Sequence, residues 1–215
     1  MNIKNTTAKE RMLKKVRQAL LQKRDNPHPD FEDLPLYKDE EEPLDVTFAR
    51  ELIAVAGNFV YCDGEIAVIE HLITLVEKLN LSKIHAWEPN VQELLNHYGF
   101  PVYTNPHKFE EVEAGITSCE ALIARNGSVL LSNANLGGRR LSIYPAVHIV
   151  IARASQLMMD LKHGMQHLKQ KYGEAMPSMV TTVTGPSRTA DIEKMLVLGA
   201  HGPKELYVFM LEDRF

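Results

Sequence analysis

Apolar residues recur at three- and four-residue spacing through Glu65–Leu79, where Ile66, Ile69, Leu72, Ile73 and Val76 are the repeating positions. The spacing predicts a helix with one buried stripe, and Asp63 stands where it can cap the first turn. Leu44–Ala56 and Pro89–Tyr98 have the same helical period. Between and beyond them lie short apolar or alternating runs at Asn58–Cys62, Lys83–Trp87 and Pro101–Tyr103, which read as strands. Gly115–Ala124 and Ser128–Ser132 are two β-rich runs joined by Asn126-Gly127, a pair suited to a type I′ turn. Val147–Ala152 predicts a strand, Ser155–Lys171 a helix, Ser178–Thr184 a strand, Thr189–Leu198 a short helix and Glu205–Leu211 a closing strand. Strand and helix in alternation favour an α/β domain: a mostly parallel sheet flanked by helices, with a local antiparallel hairpin.

The first 43 residues differ from this pattern. Residues 1–24 hold Lys4, Lys9, Arg11, Lys14, Lys15, Arg17, Lys23 and Arg24 against Glu10 alone, and Met12, Val16, Ala19 and Leu20 form a narrow stripe. That is a basic amphipathic helix suited to docking. Residues 25–43 are an acidic, proline-containing linker, and residues 44–215 form the α/β domain. The whole chain of 215 residues has a net charge of -4, which gives no general attraction to nucleic acid, and the basic helix lacks the aromatics that would favour RNA or a membrane surface. No apolar run is long enough to cross a bilayer, and no signal-peptide core follows the amino terminus, so a cytoplasmic protein is expected. Cys62 and Cys119 are the two cysteines, too few for an iron–sulfur ligand set.

The chemistry concentrates in Ser178–Gly202. After the β-branched strand, Gly185-Pro186 turn the chain and Ser187 or Thr189 caps the following helix. Strand, turn and helix amino terminus form a place where α/β sheets hold anions, and Arg188 adds a guanidinium fork. Asp191 and Glu193 in the first helical turn either complement the helix dipole or hold a cation against the ligand. His201 and Gly202, in the loop before the last strand, stand where they can reach the same carboxyl-edge crevice, with His201 as a proton carrier. Gly137-Gly138-Arg139-Arg140 is a further anion-binding candidate, although no nucleotide phosphate loop occurs. His163 and His167 stand four apart on a helix without a third ligand, so no metal site is expected, and Glu110, Glu111 and Glu113 read as a solvated face.

The runs T-G-P-S-R-T-A-D-I-E and L-G-A-H-G-P-K-E-L-Y-V-F, with G-I-T-S-C-E-A-L-I-A-R-N-G-S-V-L-L-S and R-L-S-I-Y-P-A-V-H-I-V-I-A upstream, resemble the lactate-utilization protein C family, whose members carry the LUD domain. The resemblance implies a fold like that of sugar-phosphate isomerases, coenzyme A transferases and formyltetrahydrofolate cyclo-ligases. It also implies a role beside iron–sulfur protein subunits in oxidising L-lactate to pyruvate, with no cluster in this chain and the cofactor unassigned. Matched residue by residue, the motif points to Gly185, Pro186, Ser187, Arg188, Thr189, Asp191, Glu193, His201, Gly202 and Pro203. Where many relatives have Glu-Thr-Gly-Thr, this chain has Arg125-Asn126-Gly127-Ser128, which leaves Glu120 as the substitute carboxylate. Two alternatives stand beside the subunit reading: a self-sufficient enzyme using ATP or a phosphosugar, and a non-catalytic regulatory protein.

Overall fold

The two longest strands are apolar on both sides, and that decides the architecture. Val147–Arg153 and Glu205–Leu211 read V-H-I-V-I-A-R and E-L-Y-V-F-M-L, and all but their terminal residues Arg153 and Glu205 are buried. Strands of this kind need a layer packed on each face. The computed structural model, which describes residues 7–21, 42–107, 112–135, 137, 140–189 and 197–213, supplies both layers.

Helices α1–α5 are Ala8–Leu21, Leu44–Ala54, Glu65–Leu79, Pro89–His97 and Leu161–Tyr172. Strands β1–β11 are Asn58–Cys62, Ile84–Ala86, Ala114–Thr117, Ala121–Ile123, Ser128–Ser132, Val147–Arg153, Leu157–Met158, Val180–Val183, Arg188–Thr189, Val197–Leu198 and Glu205–Leu211. The main sheet has the order β1-β11-β6-β3-β2, and every neighbouring pair is parallel. One face is covered by α3 and α4, through Val68, Ile69, Leu72, Leu75, Val91 and Leu95. The other face packs Val150, Ala152, Val208 and Met210 against Phe48 and Leu52 of α2 and against Leu122, Val129 and Leu131 of a second sheet. That sheet has the order β7-β4-β5-β8, and Leu168 of α5 joins Ala121, Ile123 and Leu130 in a smaller cluster.

The predicted fold class holds, with several local differences. The expected strand Ser178–Thr184 is β8, which belongs to the second sheet and runs antiparallel to β5. Pro101–Tyr103 is reduced to a single bridge from Tyr103 to His85. The helix expected over Ser155–Lys171 begins at Leu161, after a 3-10 turn and β7. The cap position of α3 is Gly64 rather than Asp63. Ile66 and Ile73 face outward while Val68 and Leu75 are buried, so the stripe is rotated from the expected one. The helix expected over Thr189–Leu198 is contradicted at both ends, because Arg188–Thr189 pairs antiparallel with Val197–Leu198. Residues 190–196 lie outside the described residues.

Contacts divide the chain into residues 1–40 and 41–215. In the first unit, α1 opens with a capping box in which Thr7 N–H donates to Glu10 and Glu10 N–H donates to Thr7 Oγ1. None of its residues is buried, and Met12, Val16 and Leu20 are exposed.

The β4–β5 connection differs from the expected two-residue turn. Ile123 pairs with Ser128, leaving the 3-10 turn Ala124–Asn126 and a left-handed Gly127 at φ 60°. Asn126 does not share the positive φ that a type I′ turn needs. Glycine is required here twice over, since a Cβ would stand 2.5 Å from the carbonyl carbon of Glu51 and closer still to the Leu52 nitrogen. Gly127→Ala is therefore expected to cost about 3 kcal/mol, a fall in Tm of roughly 5–10 °C for a domain of this size. Thermal melting checks it, and an unchanged Tm would show that α2 does not press on this turn.

Candidate functional site at the carboxyl edge of the sheet

In a parallel sheet the carboxyl ends of the strands lie along one edge, and ligands of open α/β sheets bind there. In this protein that edge is formed by Cys62 of β1, Leu211 of β11, Arg153 of β6, Ser118 just after β3, and Glu88 just after β2. A cleft of about 300 Å³ opens there, lined among others by Asn90, Ser118, Asn135, Arg153 and Lys171. A smaller hollow of about 200 Å³ adjoins it and shares Arg153 and Leu211. The first turn of α4 begins at Pro89 without a side-chain cap. The N–H groups of Asn90 and Val91 precede the first intrahelical bond, which Gln92 donates to Glu88, so the positive end of the helix dipole faces the cleft.

Two side chains in the cleft are each backed by a buried glutamate. Lys171 Nζ donates to Glu120 Oε2 at 2.9 Å, while Ser132 Oγ and Tyr172 Oη donate to Glu120 Oε1 at 2.6 and 2.9 Å. Burial pushes the Glu120 carboxyl up, but these hydrogen bonds and the lysine charge outweigh it and hold the group below the ordinary carboxylate range. The Lys171 ammonium is raised for the reciprocal reason, Glu120 overcoming the opposing effect of burial.

The second pair is Ser118 and Glu88. Ser118 donates its N–H to Glu88 Oε2 at 2.9 Å and its hydroxyl to the same oxygen, and it accepts from Asn135 Nδ2 at 3.2 Å. Glu88 Oε1 is buried with no hydrogen-bond partner among the described residues. Burial pushes this carboxyl up, with Glu120 adding to the effect against Ser118 and Lys171. Gly137 makes the approach possible, since a Cβ there would lie 2.8 Å from Glu88 Oε1 and 3.0 Å from Thr117 Cγ2. The two glutamates are thus driven in opposite directions, the arrangement of an acid–base pair.

The motif residues sit elsewhere. Pro203 and Lys204 precede the first residue of β11, Glu205, which is level with Val147 at the start of β6; His201 and Gly202 thus belong to the amino edge, not the carboxyl edge expected from sequence. Gly185, Ser187, His201 and Gly202 do share one cavity of about 180 Å³ there, with His148, Ser142 and Leu206. Arg188 is not part of its lining; its guanidinium donates to the Val55 carbonyl at the end of α2. Pro186 is buried and Thr189 pairs with Val197. Asp191, Glu193 and Arg139 lie outside the described residues. Arg140 is exposed and reaches toward the Pro106 carbonyl, 3.5 Å away. Arg125 pairs with Asp160 at the cap position of α5. Glu113 is not a plain solvated residue: it accepts from the N–H groups of Ser82 and Lys83 at 2.6 and 2.9 Å, clamping the start of β2.

Both thiols are buried, Cys62 within the core under α3 and Cys119 on the opposite face of the sheet. Burial raises both thiols, Cys62 to about 11, so neither is a ready thiolate ligand. No group of three or more His, Cys, Asp or Glu among the described residues is arranged to hold a metal ion, and no helix among them is long and apolar enough to cross a membrane.

A family model for the LUD domain matches residues 82–211, more than half of the chain, and that stretch contains every residue of the cleft named above. The chain belongs to the LUD-domain family. Among relatives of this LUD-domain chain, the lactate utilization protein C of Halalkalibacterium halodurans is 38% identical over 109 residues, 50% of this chain and 47% of that protein. The protein of the same name from Bacillus subtilis is 34% identical over 112 residues, 51% of this chain and 47% of that one. The matched region thus spans about half the length of these curated relatives. A DUF162 family protein from Deinococcus radiodurans has the same fold, with a TM-score of 0.56 at 18% identity over 78% of this chain and 96% of that one.

Opposite pH signatures are expected at the two glutamates. The raised Glu88 group contributes stability that is full below its unfolded value and lost as pH rises through its folded one. The depressed Glu120 group contributes stability that is full above its unfolded value and lost as pH falls through its folded one. Glu88→Gln should therefore gain stability relative to wild type as pH rises above the ordinary carboxylate range. Lys171→Met should lose about 2 kcal/mol near neutrality, discounted for the half-exposed lysine, and much less at about pH 4. Chemical denaturation at both pH values checks this; curves parallel to wild type would refute both assignments.

Proposed function

We propose that this LUD-domain chain serves in L-lactate utilization, as a cytoplasmic subunit of a multi-protein system that oxidises L-lactate to pyruvate. The names of its relatives support the process. The observation that carries the ligand reading is the convergence of Arg153, Lys171 and the uncapped first turn of α4 on one cleft beside Ser118 and Asn135. A three-carbon hydroxy acid suits it: carboxylate toward Arg153 and the helix amino terminus, hydroxyl toward Ser118 and Asn135.

In this reading Ser118 passes the hydroxyl proton to Glu88, whose raised proton affinity suits a general base, and Lys171 steadies the developing oxygen charge. Oxidation of L-lactate to pyruvate breaks the O–H and Cα–H bonds and releases two electrons and two protons; Glu88 would take the hydroxyl proton through Ser118, solvent the Cα proton, and iron–sulfur partner subunits would supply the acceptor for the two electrons. The basic stripe of α1 is the docking element for those subunits. The motif residues Gly185, Pro186, Ser187, Thr189, His201 and Gly202 then shape the opposite edge instead of holding the anion, and Arg188 serves to fasten α2.

Calorimetric titration with L-lactate and pyruvate tests the cleft. Arg153→Ala should weaken binding tenfold or more, the loss of one charge-assisted contact. In the native cell, deleting the gene should abolish growth on L-lactate, wild type should restore it and Glu88→Gln should not. Normal growth of the deletion strain on L-lactate, or binding indifferent to Arg153, would sink the reading.

A further inference from the structure

His148 is fully buried on β6, between the two sheets. Its Nε2 lies 2.9 Å from Thr117 Oγ1, while Nδ1 has no hydrogen-bond partner among the described residues. An unmet buried polar atom costs roughly 1–3 kcal/mol, so a native protein that keeps one has a use for it or a guest beside it. The residue lines the amino-edge cavity of about 180 Å³, space for about six waters. With Nε2 committed to Thr117, Nδ1 is the polar atom His148 has to give.

The rest of the wall narrows the chemistry. Ser187 and His201 stand beside apolar Ile143, Val183 and Leu206, and no Lys, Arg, Asp or Glu is among the described lining residues. The carboxyl end of α2 lies beside Gly185: the Val55 carbonyl already takes Arg188, and a Cβ on Gly185 would crowd it. A helix carboxyl terminus repels an anion, and an anion here would lose its hydration for neutral groups only. Imidazole Nδ1 is a donor in one tautomer and an acceptor in the other. A primary amide or lactam carries both functions and meets either.

We propose that this cavity is a second small-molecule site, for an uncharged amide-bearing ligand whose amide hydrogen-bonds His148 Nδ1 and whose apolar body lies against Val183 and Leu206. It is a separate site from the carboxyl-edge cleft and takes the opposite class of molecule. Gly185, Ser187 and the loop Gly199–Pro203 then build its mouth: Ser187 donates its N–H to the Pro203 carbonyl at 2.9 Å and its carbonyl accepts from Gly199 N–H at 2.9 Å.

Isosteric pairs test this on the full chain: acetamide against acetate, and nicotinamide against nicotinate, followed by saturation-transfer NMR and by the 15N resonances of the His148 ring. At least one amide is expected to bind and to shift the Nδ1 resonance, with its carboxylate at least tenfold weaker. Ser187→Leu, at the half-buried rim, should weaken amide binding at least tenfold. His148→Leu should do the same, with some loss of melting temperature because the buried Thr117 hydroxyl loses its partner. Arg153→Ala should leave amide binding unchanged, which separates this site from the lactate reading. Failure of both amides to bind, equal or tighter binding of a carboxylate, or indifference to Ser187→Leu would each overturn the proposal.

Discussion

One carboxylate pins the second half of the chain together. Glu120 stands at the point where the chain leaves β3 in the main sheet and enters β4 in the second, and its oxygens accept from Ser132 on β5 and from Lys171 and Tyr172 on α5. Three elements that share no local sequence thus meet on one side chain with no exposed surface. A buried carboxylate with fewer donors would be neutralised or would destabilise the fold. Here the donors are provided by the very elements that cover the sheet, so packing of α5 and placement of Lys171 in the cleft are one event. The apolar cluster of Ala121, Ile123, Leu130 and Leu168 beside it supplies the non-directional part of the same contact.

From that joint follow two edges of different character. The amino terminus of α4 and the strand carboxyl ends point to the cleft, where Arg153 and Lys171, the latter in the last turn of α5, also stand; the proposed anionic ligand rests on that set. The carboxyl end of α2 lies at the other edge, where hydroxyls, imidazoles and apolar groups line the cavity. The parallel sheet imposes this polarity on any sequence that adopts it. What the sequence adds is the choice of side chains along each edge, and those choices agree with the polarity instead of opposing it.

The main sheet was legible because its signals are local. The double-sided apolar runs at Val147 and Glu205, and the helical spacing through Glu65–Leu79, are each read within one element. Gly127 was read correctly as a turn glycine, but its reason lies with Glu51 and Leu52, some 75 residues earlier in the chain, which no turn rule could reveal. The cleft was mostly illegible for the same reason. Glu88, Ser118, Arg153 and Lys171 come from four separate elements, and nothing about any one of them stands out in its own neighbourhood; an acid directly after a buried strand, as Glu88 is after Ile84–Ala86, was the available hint. The motif at Thr184–Gly202 drew the eye because it is compact. Gly185, Ser187, His201 and Gly202 do gather at one cavity, yet at the amino edge, because β8 belongs to the second sheet and delivers the turn there.

Adjacent residues at the end of β3 serve both edges. Thr117 turns its hydroxyl to His148, while Ser118 turns its own to Glu88 and the cleft. The connection between β5 and β6 does the same over a longer path: Asn135 holds Ser118, Gly137 lies against both Glu88 and Thr117, and Ser142 lines the amino-edge cavity. Gly115 lets Leu141 of this connection approach β3, since a Cβ there would stand 2.7 Å from the Leu141 carbonyl. A close-packed interior transmits displacement instead of absorbing it. The end of β3 touches both cavities: Ser118 lines the cleft, and Thr117 meets the other through its hydrogen bond to His148.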